Sequence, residues 1–269
     1  MKFLGESAVA VAVLVLLPAV CEGQSHEELD LNTVLPELDQ NVARTADVSL
    51  AAKLIVEQTN EFRGEHDLAA LQVDERLTSA AQDFAEYMAS ALEYGHTANG
   101  QRPSQRASEK GYDYCIVAEN IAYAFSSQGY LAEPLAERFV SGWQQSPEHR
   151  RNMLDPDVVE TGVAVAQRKE TGVYFAVQMF GRPKSQRVEF QIVNRAGQEI
   201  TYEVGQRSFD LPPRVTMTHG RCRPVDVTFH WPAQDEPATT TRKATSGNAL
   251  VVERGDDGGF QVKQQAMDK

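Results

Sequence analysis

Over the first two thirds of the chain apolar residues recur every three to four positions. Over the last third they alternate with polar ones. The first pattern belongs to helices with one buried face, the second to strands with one buried face. Leu50, Leu54, Ile55, Thr59 and Phe62 make the first helical stripe, with Asp47 or Ser49 as its cap and Gly64 as its stop. Asp74 opens a second helix whose stripe is Leu77, Ala80, Phe84, Met88 and Leu92; Gly95 is expected to end it, and His96 follows at once. Residues 100–114 are polar and read as a long surface loop with one helical turn around 104–109. Leu135, Phe139, Val140 and Trp143 form the buried side of a third helix, with Pro134 in its first turn, where a missing N–H costs nothing. Ser146-Pro147-Glu148 then starts a short helix, with the Ser146 hydroxyl expected to cap a backbone N–H. Two strands, 163–167 and 173–180, flank the hairpin turn Lys169-Glu170-Thr171-Gly172.

After a linker at 181–185 the period changes to two: Val188, Phe190 and Ile192, then Ile200, Tyr202 and Val204, then Val225, Val227 and Phe229. Short alternating strands with Gly and Pro between them predict a small antiparallel all-β unit. Residues 234–248 are polar and threonine-rich and are expected to form a flexible loop. Residues 250–252 and 260–262 are expected to pair as a last hairpin. The fold class is therefore α+β, with helices and a hairpin over 48–183 and a separate β-domain over 187–265.

The first 23 residues stand apart. Lys2, an apolar run over 8–20 and a small-residue end at Cys21-Glu22-Gly23 have the layout of a secretory signal peptide. The run falls short of the ~20 apolar residues a membrane span needs, so no transmembrane segment is expected once it is removed. Residues 24–47 read as a flexible acidic lead-in. Secretion makes a disulfide possible between Cys115 and Cys222, which would staple the two domains; two buried thiols are the alternative. The net charge of −12 over 269 residues, with no basic run longer than a pair, argues against nucleic acid as a partner.

Several short motifs stand in a fixed order: Thr59-Asn60-Glu61-Phe62-Arg63, Gly95-His96, Ala118-Glu119-Asn120-Ile121, the run 143–154 from Trp143 to Leu154, and Thr161-Gly162-Val163-Ala164-Val165-Ala166. In these the chain resembles the CAP superfamily, the cysteine-rich secretory, antigen 5 and pathogenesis-related proteins (SCP domain), in its bacterial form. The resemblance covers about half the chain. It implies a three-layer α-β-α sandwich with a cleft in which His96 and His149 match the two histidines and Glu119 the first glutamate. Many eukaryotic members carry a second glutamate three residues after the helical tryptophan. Ser146 stands there instead, leaving two histidines and one glutamate.

Two imidazoles and a carboxylate suit zinc or a similar divalent ion, and the same groups are capable of acid–base work near neutral pH. Each also has a plain structural use in holding a loop or a helix start. Asn120 and Asn152 are able to donate hydrogen bonds into the site, though such residues more often hold a loop or a helix end, and Ser146 borders it. The leading expectation is a secreted, periplasmic or cell-surface module that binds an extracellular or cell-envelope ligand without catalysis, its cleft holding a divalent metal or a small polar ligand. A metal-assisted protease or cell-wall hydrolase is the alternative, and a purely structural or adhesive protein the third reading. His219, Cys222 and His230 have no common zinc spacing.

Overall fold

The computed structural model describes residues 29–30, 45–168, 171–231 and 238–267. The stretch expected to be a signal peptide, Cys21 included, most of the lead-in, and Lys169 and Glu170 of the hairpin turn lie outside the described residues. The chain divides into two compact units. One comprises residues up to Tyr112 with Val117–Gly181; the other comprises Asp113–Ile116 with residues from Arg182 onward.

In the first unit, helix α1 (Val48–Gly64) starts where Asp47 Oδ1 accepts the N–H groups of Ser49 and Leu50, both at 3.0 Å. It buries Ala51, Ile55, Thr59 and Phe62. Asp74 caps α2 (Glu75–Ala91) in the same way. This helix ends at Ala91 rather than Gly95, because Leu92 takes a left-handed conformation (φ 56°). That conformation costs a non-glycine residue ~1–2 kcal/mol, whereas burying a leucine side chain gains ~1.5–3 kcal/mol. Leu92 is 2% exposed in the core beside Met88, so burial wins. The turn frees Glu93–Tyr94 to form β3, paired antiparallel with β1 (Leu29–Asp30) of the lead-in.

Strand β2 (Gln72–Val73) precedes α2, and α3 (Pro103–Glu109), β4 (Tyr114–Phe125), α4 (Ala132–Gln145), α5 (Pro147–Met153), β5 (Glu160–Gln167) and β6 (Val173–Pro183) follow. The sheet order is β2-β5-β6-β4, with β2 parallel to β5 and β5 antiparallel to β6. Alternation on the strands divides the core between the two faces. Ala164, Ala166, Phe175, Val177 and Met179 pack with α2. On the other face Gln178 bonds Thr59 of α1, with 3.1 Å from Nε2 to Oγ1. Helices therefore cover both faces, giving the three-layer α-β-α sandwich. Gly162 permits the closest approach, since a Cβ there would sit 2.1 Å from the Thr78 backbone nitrogen of α2. The polar stretch 100–114 is not a surface loop throughout. Arg106, Ala107 and Tyr112 are buried, because the loop folds back over Phe84 of α2.

In the second unit a 3₁₀ turn (Lys184–Gln186) leads into β7 (Val188–Asn194), β8 (Ile200–Val204), β9 (Arg207–Leu211), β10 (Thr216–Arg221), β11 (Asp226–Trp231), β12 (Ala238–Lys243), β13 (Asn248–Arg254) and β14 (Phe260–Ala266). They form two four-stranded sheets, β10-β7-β13-β14 and β12-β11-β8-β9. Among the described residues every pairing in them is antiparallel but one: β13 runs parallel to β7. Phe190, Ile192, Leu250 and Val252 of one sheet share a core with Tyr202, Val204, Val227 and Phe229 of the other, which makes the unit a β-sandwich.

Part of the expected flexible loop at 234–248 is strand β12, paired with β11. Its threonines favour strands, and two of them are tied down: Trp231 Nε1 donates to Thr240 Oγ1 at 2.9 Å, and Thr228 bonds Thr241. Cys115 and Cys222 are disulfide-bonded. By the division into compact units both cysteines fall in the second. The stretch 113–116 belongs with the second, where the Lys184 N–H reaches the Asp113 carbonyl at 2.9 Å. Among the described residues no helix is long and apolar enough to cross a membrane.

Candidate functional site

The turn after β3, strand β4 and helix α5 supply the site residues. Glu119 lies on β4 with its carboxyl 1% exposed. A buried carboxylate is costly unless paired, and this one has two partners. His96 Nδ1 meets Oε1 at 2.8 Å, and Arg106 Nη2 meets Oε2 at 2.6 Å. An ionised carboxylate only accepts hydrogen bonds, so Nδ1 is the protonated nitrogen of His96, and in the neutral ring Nε2 carries the lone pair. The His96 side chain is 42% exposed, so one side of the site is open to solvent.

No motif in the sequence marks Arg106. It is buried, lies 3.5 Å from the centre of the Phe84 ring, and donates to the carbonyls of His96 and Gln101 and to Asn99 Oδ1. A single guanidinium thus fixes both the carboxylate and the backbone of the residue that bonds it. The segment reads as polar loop, and only the neighbouring Ala107 hints at a buried turn.

His149 sits in the first turn of α5. Burial, aided by the charge of His96, pushes its pKa down to about 4, so it is neutral at pH 7. Its Nδ1 is buried and has no hydrogen-bond partner. The two asparagines hold α5 against β4: Asn120 Nδ2 donates to the His149 carbonyl at 3.1 Å, and Asn152 Nδ2 donates to the Glu119 carbonyl at 3.2 Å and to Asn120 Oδ1 at 2.9 Å. Trp143 Nε1 donates to the Ile121 carbonyl at 3.1 Å. Arg63 of α1 is almost wholly buried and donates from Nη1 to the carbonyls of Met153 and Asp155, which anchors the far end of α5.

Ser146 occupies the cap position of α5, but its hydroxyl makes no capping bond, contrary to expectation. Its backbone N–H is still held by the preceding helix, at 3.2 Å from the Gly142 carbonyl, and its side chain is buried at the junction. In the β-sandwich, His219 Nε2 lies 2.8 Å from Tyr202 Oη and Cys222 is in the disulfide, so these two residues are already engaged.

The donor set fits a metal only in part. Both Glu119 oxygens are occupied by His96 and Arg106, and among the described residues no three His, Cys, Asp or Glu side chains group to hold an ion. A set of two histidines and Glu119 as three direct ligands does not fit. What remains is a pair of imidazoles, one of them braced from behind by a carboxylate in the way ligating histidines commonly are.

Residues 56–180 match the family model described as CAP, the cysteine-rich secretory protein family. This stretch is a CAP domain. The uncharacterized protein YkwD of Bacillus subtilis (strain 168) is 29% identical over 136 residues, covering 50% of this chain and 49% of YkwD. The uncharacterized membrane protein YlbC of the same organism is 31% identical over 120 residues, covering 44% of this chain and 32% of YlbC. The chain therefore spans about half or less of the length of these relatives. Among solved structures, an outer surface protein from Borrelia burgdorferi is 21% identical with a TM-score of 0.46, covering 53% of this chain and 100% of that one. An extracellular protein containing an SCP domain from Bacillus anthracis is 23% identical with a TM-score of 0.41, covering 49% of this chain and 40% of that one.

Proposed function

We propose that the CAP domain is an exported, non-catalytic binding module whose ligand meets the imidazoles of His96 and His149. The observation that carries this reading is His149: it is neutral at pH 7, with an unpartnered buried ring nitrogen, and it lies close enough to His96 to feel its charge. A divalent cation of the zinc type is the ligand this pair suits best, with His96 Nε2 and a nitrogen of His149 as donors and Glu119 as the outer carboxylate. Held by His96 and His149, such an ion would supply Lewis acidity toward a polar ligand. Hydrolysis has less to support it, because the carboxylate that would serve as base is tied at both oxygens.

Isothermal titration with Zn²⁺ at pH 7.5 tests the reading. Wild type is expected to bind, and His96→Ala and His149→Ala each to bind about tenfold or more weakly. Equal heats from wild type and both variants rule out the metal site. Chelator-sensitive turnover of casein or peptidoglycan that disappears in His149→Ala would establish the hydrolase instead.

A further inference from the structure

Strand β5 carries a second feature that the histidine site does not use. Along one edge it is paired with β6 from Glu160 to Gln167. Along the other, among the described residues, it meets only β2, at Glu160 and Thr161. On this outer side the Thr161 carbonyl accepts the Asp74 N–H at 2.9 Å. Backbone groups of successive strand residues turn to opposite sides, so Val163 and Val165 direct their N–H and C=O groups the same way as Thr161. After Val73 the chain leaves into α2, and no other strand among the described residues covers this edge.

The edge opens onto a groove of about 620 Å³. Val163 and Val165 line it, with Val48, Ala52 and Val56 of α1 on one side and Thr78 and Gln82 of α2 on the other. Val73, at 60% exposure, stands beside it, and Lys53 and Glu57 give it one charge of each sign. Among the described residues no strand pairs with the outer side of 163–167, an edge roughly 16 Å long at ~3.3 Å per residue.

We propose that this groove docks an extended peptide segment of a protein partner, added to the sheet as a strand beside β5. Its backbone would pair with Val163 and Val165. Its side chains would alternate, apolar toward Val48, Ala52 and Val56 and polar toward Thr78 and Gln82. The ladder selects the occupant: an acyl chain would fill the apolar half but leave the strand's donors and acceptors unmet, whereas a peptide satisfies both. Lys53 and Glu57 together set no net charge on it. None of His96, Glu119 and His149 lines the groove, so this inference stands apart from the metal reading.

The probe is a fluorescein-labelled peptide, Lys-Thr-Val-Thr-Val-Thr-Val-Lys, titrated against the full exported chain by fluorescence anisotropy. A second peptide has the same sequence with alternate backbone amides N-methylated. Saturable binding of the first is expected, weakened about tenfold or more by N-methylation and by Ala52→Arg, which fills the groove from the α1 side. The N-methyl comparison needs no protein variant, so it holds if Ala52→Arg fails to fold. Equal binding of the two peptides overturns the proposal, as does absence of binding. Binding of cis-parinaric acid without binding of the first peptide also overturns it and makes the groove an acyl-chain site.

Discussion

At the scale of single residues, the spacing of the motifs does not mark Arg106, a buried cation with several backbone and side-chain bonds. It neutralises Glu119 and holds the His96 carbonyl in one geometry. Removing one member of a buried ion pair typically costs ~3–5 kcal/mol because the other charge is left stranded. Arg106→Met is expected to lose about that much stability in urea unfolding, and Arg106→Met with Glu119→Gln to recover part of it. Additive losses in the double variant would show that the pair is not coupled.

His149 sets a pH dependence. Its folded pKa of about 4 lies below the ordinary histidine value of 6.5, so between these values the unfolded chain binds a proton that the folded chain refuses. Its neutral form therefore contributes stability that is full above about pH 6.5 and is lost as pH falls toward 4. The urea midpoint of wild type is expected to drop between pH 7.5 and 5, and that of His149→Gln to drop less. The same drop in both would remove His149 as the cause. The histidines and Glu119 were legible as short motifs. The state of His149 was not, because burial belongs to its neighbours in space.

At the scale of elements, the helical stripes of α1 and α2 and the alternation of β7 and β8 were readable because one face of each is buried against a large core. The errors fall where a local rule met a stronger tertiary contact. Gly95 is the usual kind of helix stop, yet Leu92 ends α2 because its side chain is drawn into the core. A threonine-rich run reads as loop by polarity, yet β12 pairs with β11 because an edge strand needs few apolar residues. Gly162 shows how tightly α2 lies on β5. Gly162→Ala would place a methyl 2.1 Å from the Thr78 nitrogen. Overpacking of this kind costs ~1–3 kcal/mol or more, so a melting temperature lower by several degrees is expected. An unchanged melting temperature would mean that the helix yields freely at this contact.

At the scale of the whole molecule, two compact units carry separate cores, and the disulfide belongs to the second. Its cysteines are 107 residues apart in sequence. Closing a loop of ~100 residues stabilises by up to ~4.7 kcal/mol in the chain-entropy model. Cys115→Ser with Cys222→Ser is therefore expected to speed amide hydrogen exchange in β10 and β11 more than in α2. Faster exchange in α2 alone would contradict a bond that stabilises the second unit.

The sequence by itself determined the long helical stripes, the alternating strands of the second unit and that a CAP-type sandwich occupies the first part, and it nominated two histidines and a glutamate as candidate site residues. It could do so because period, caps and short motifs are local properties of the chain. Only the tertiary structure decided that Glu119 is claimed by Arg106, that His149 is held neutral, that Cys115 bonds Cys222 within the second unit, and that among the described residues one edge of β5 has no strand beside it beyond Thr161. Each of these depends on which distant side chains share a low-dielectric space or leave a backbone edge uncovered, and neither spacing nor composition encodes that.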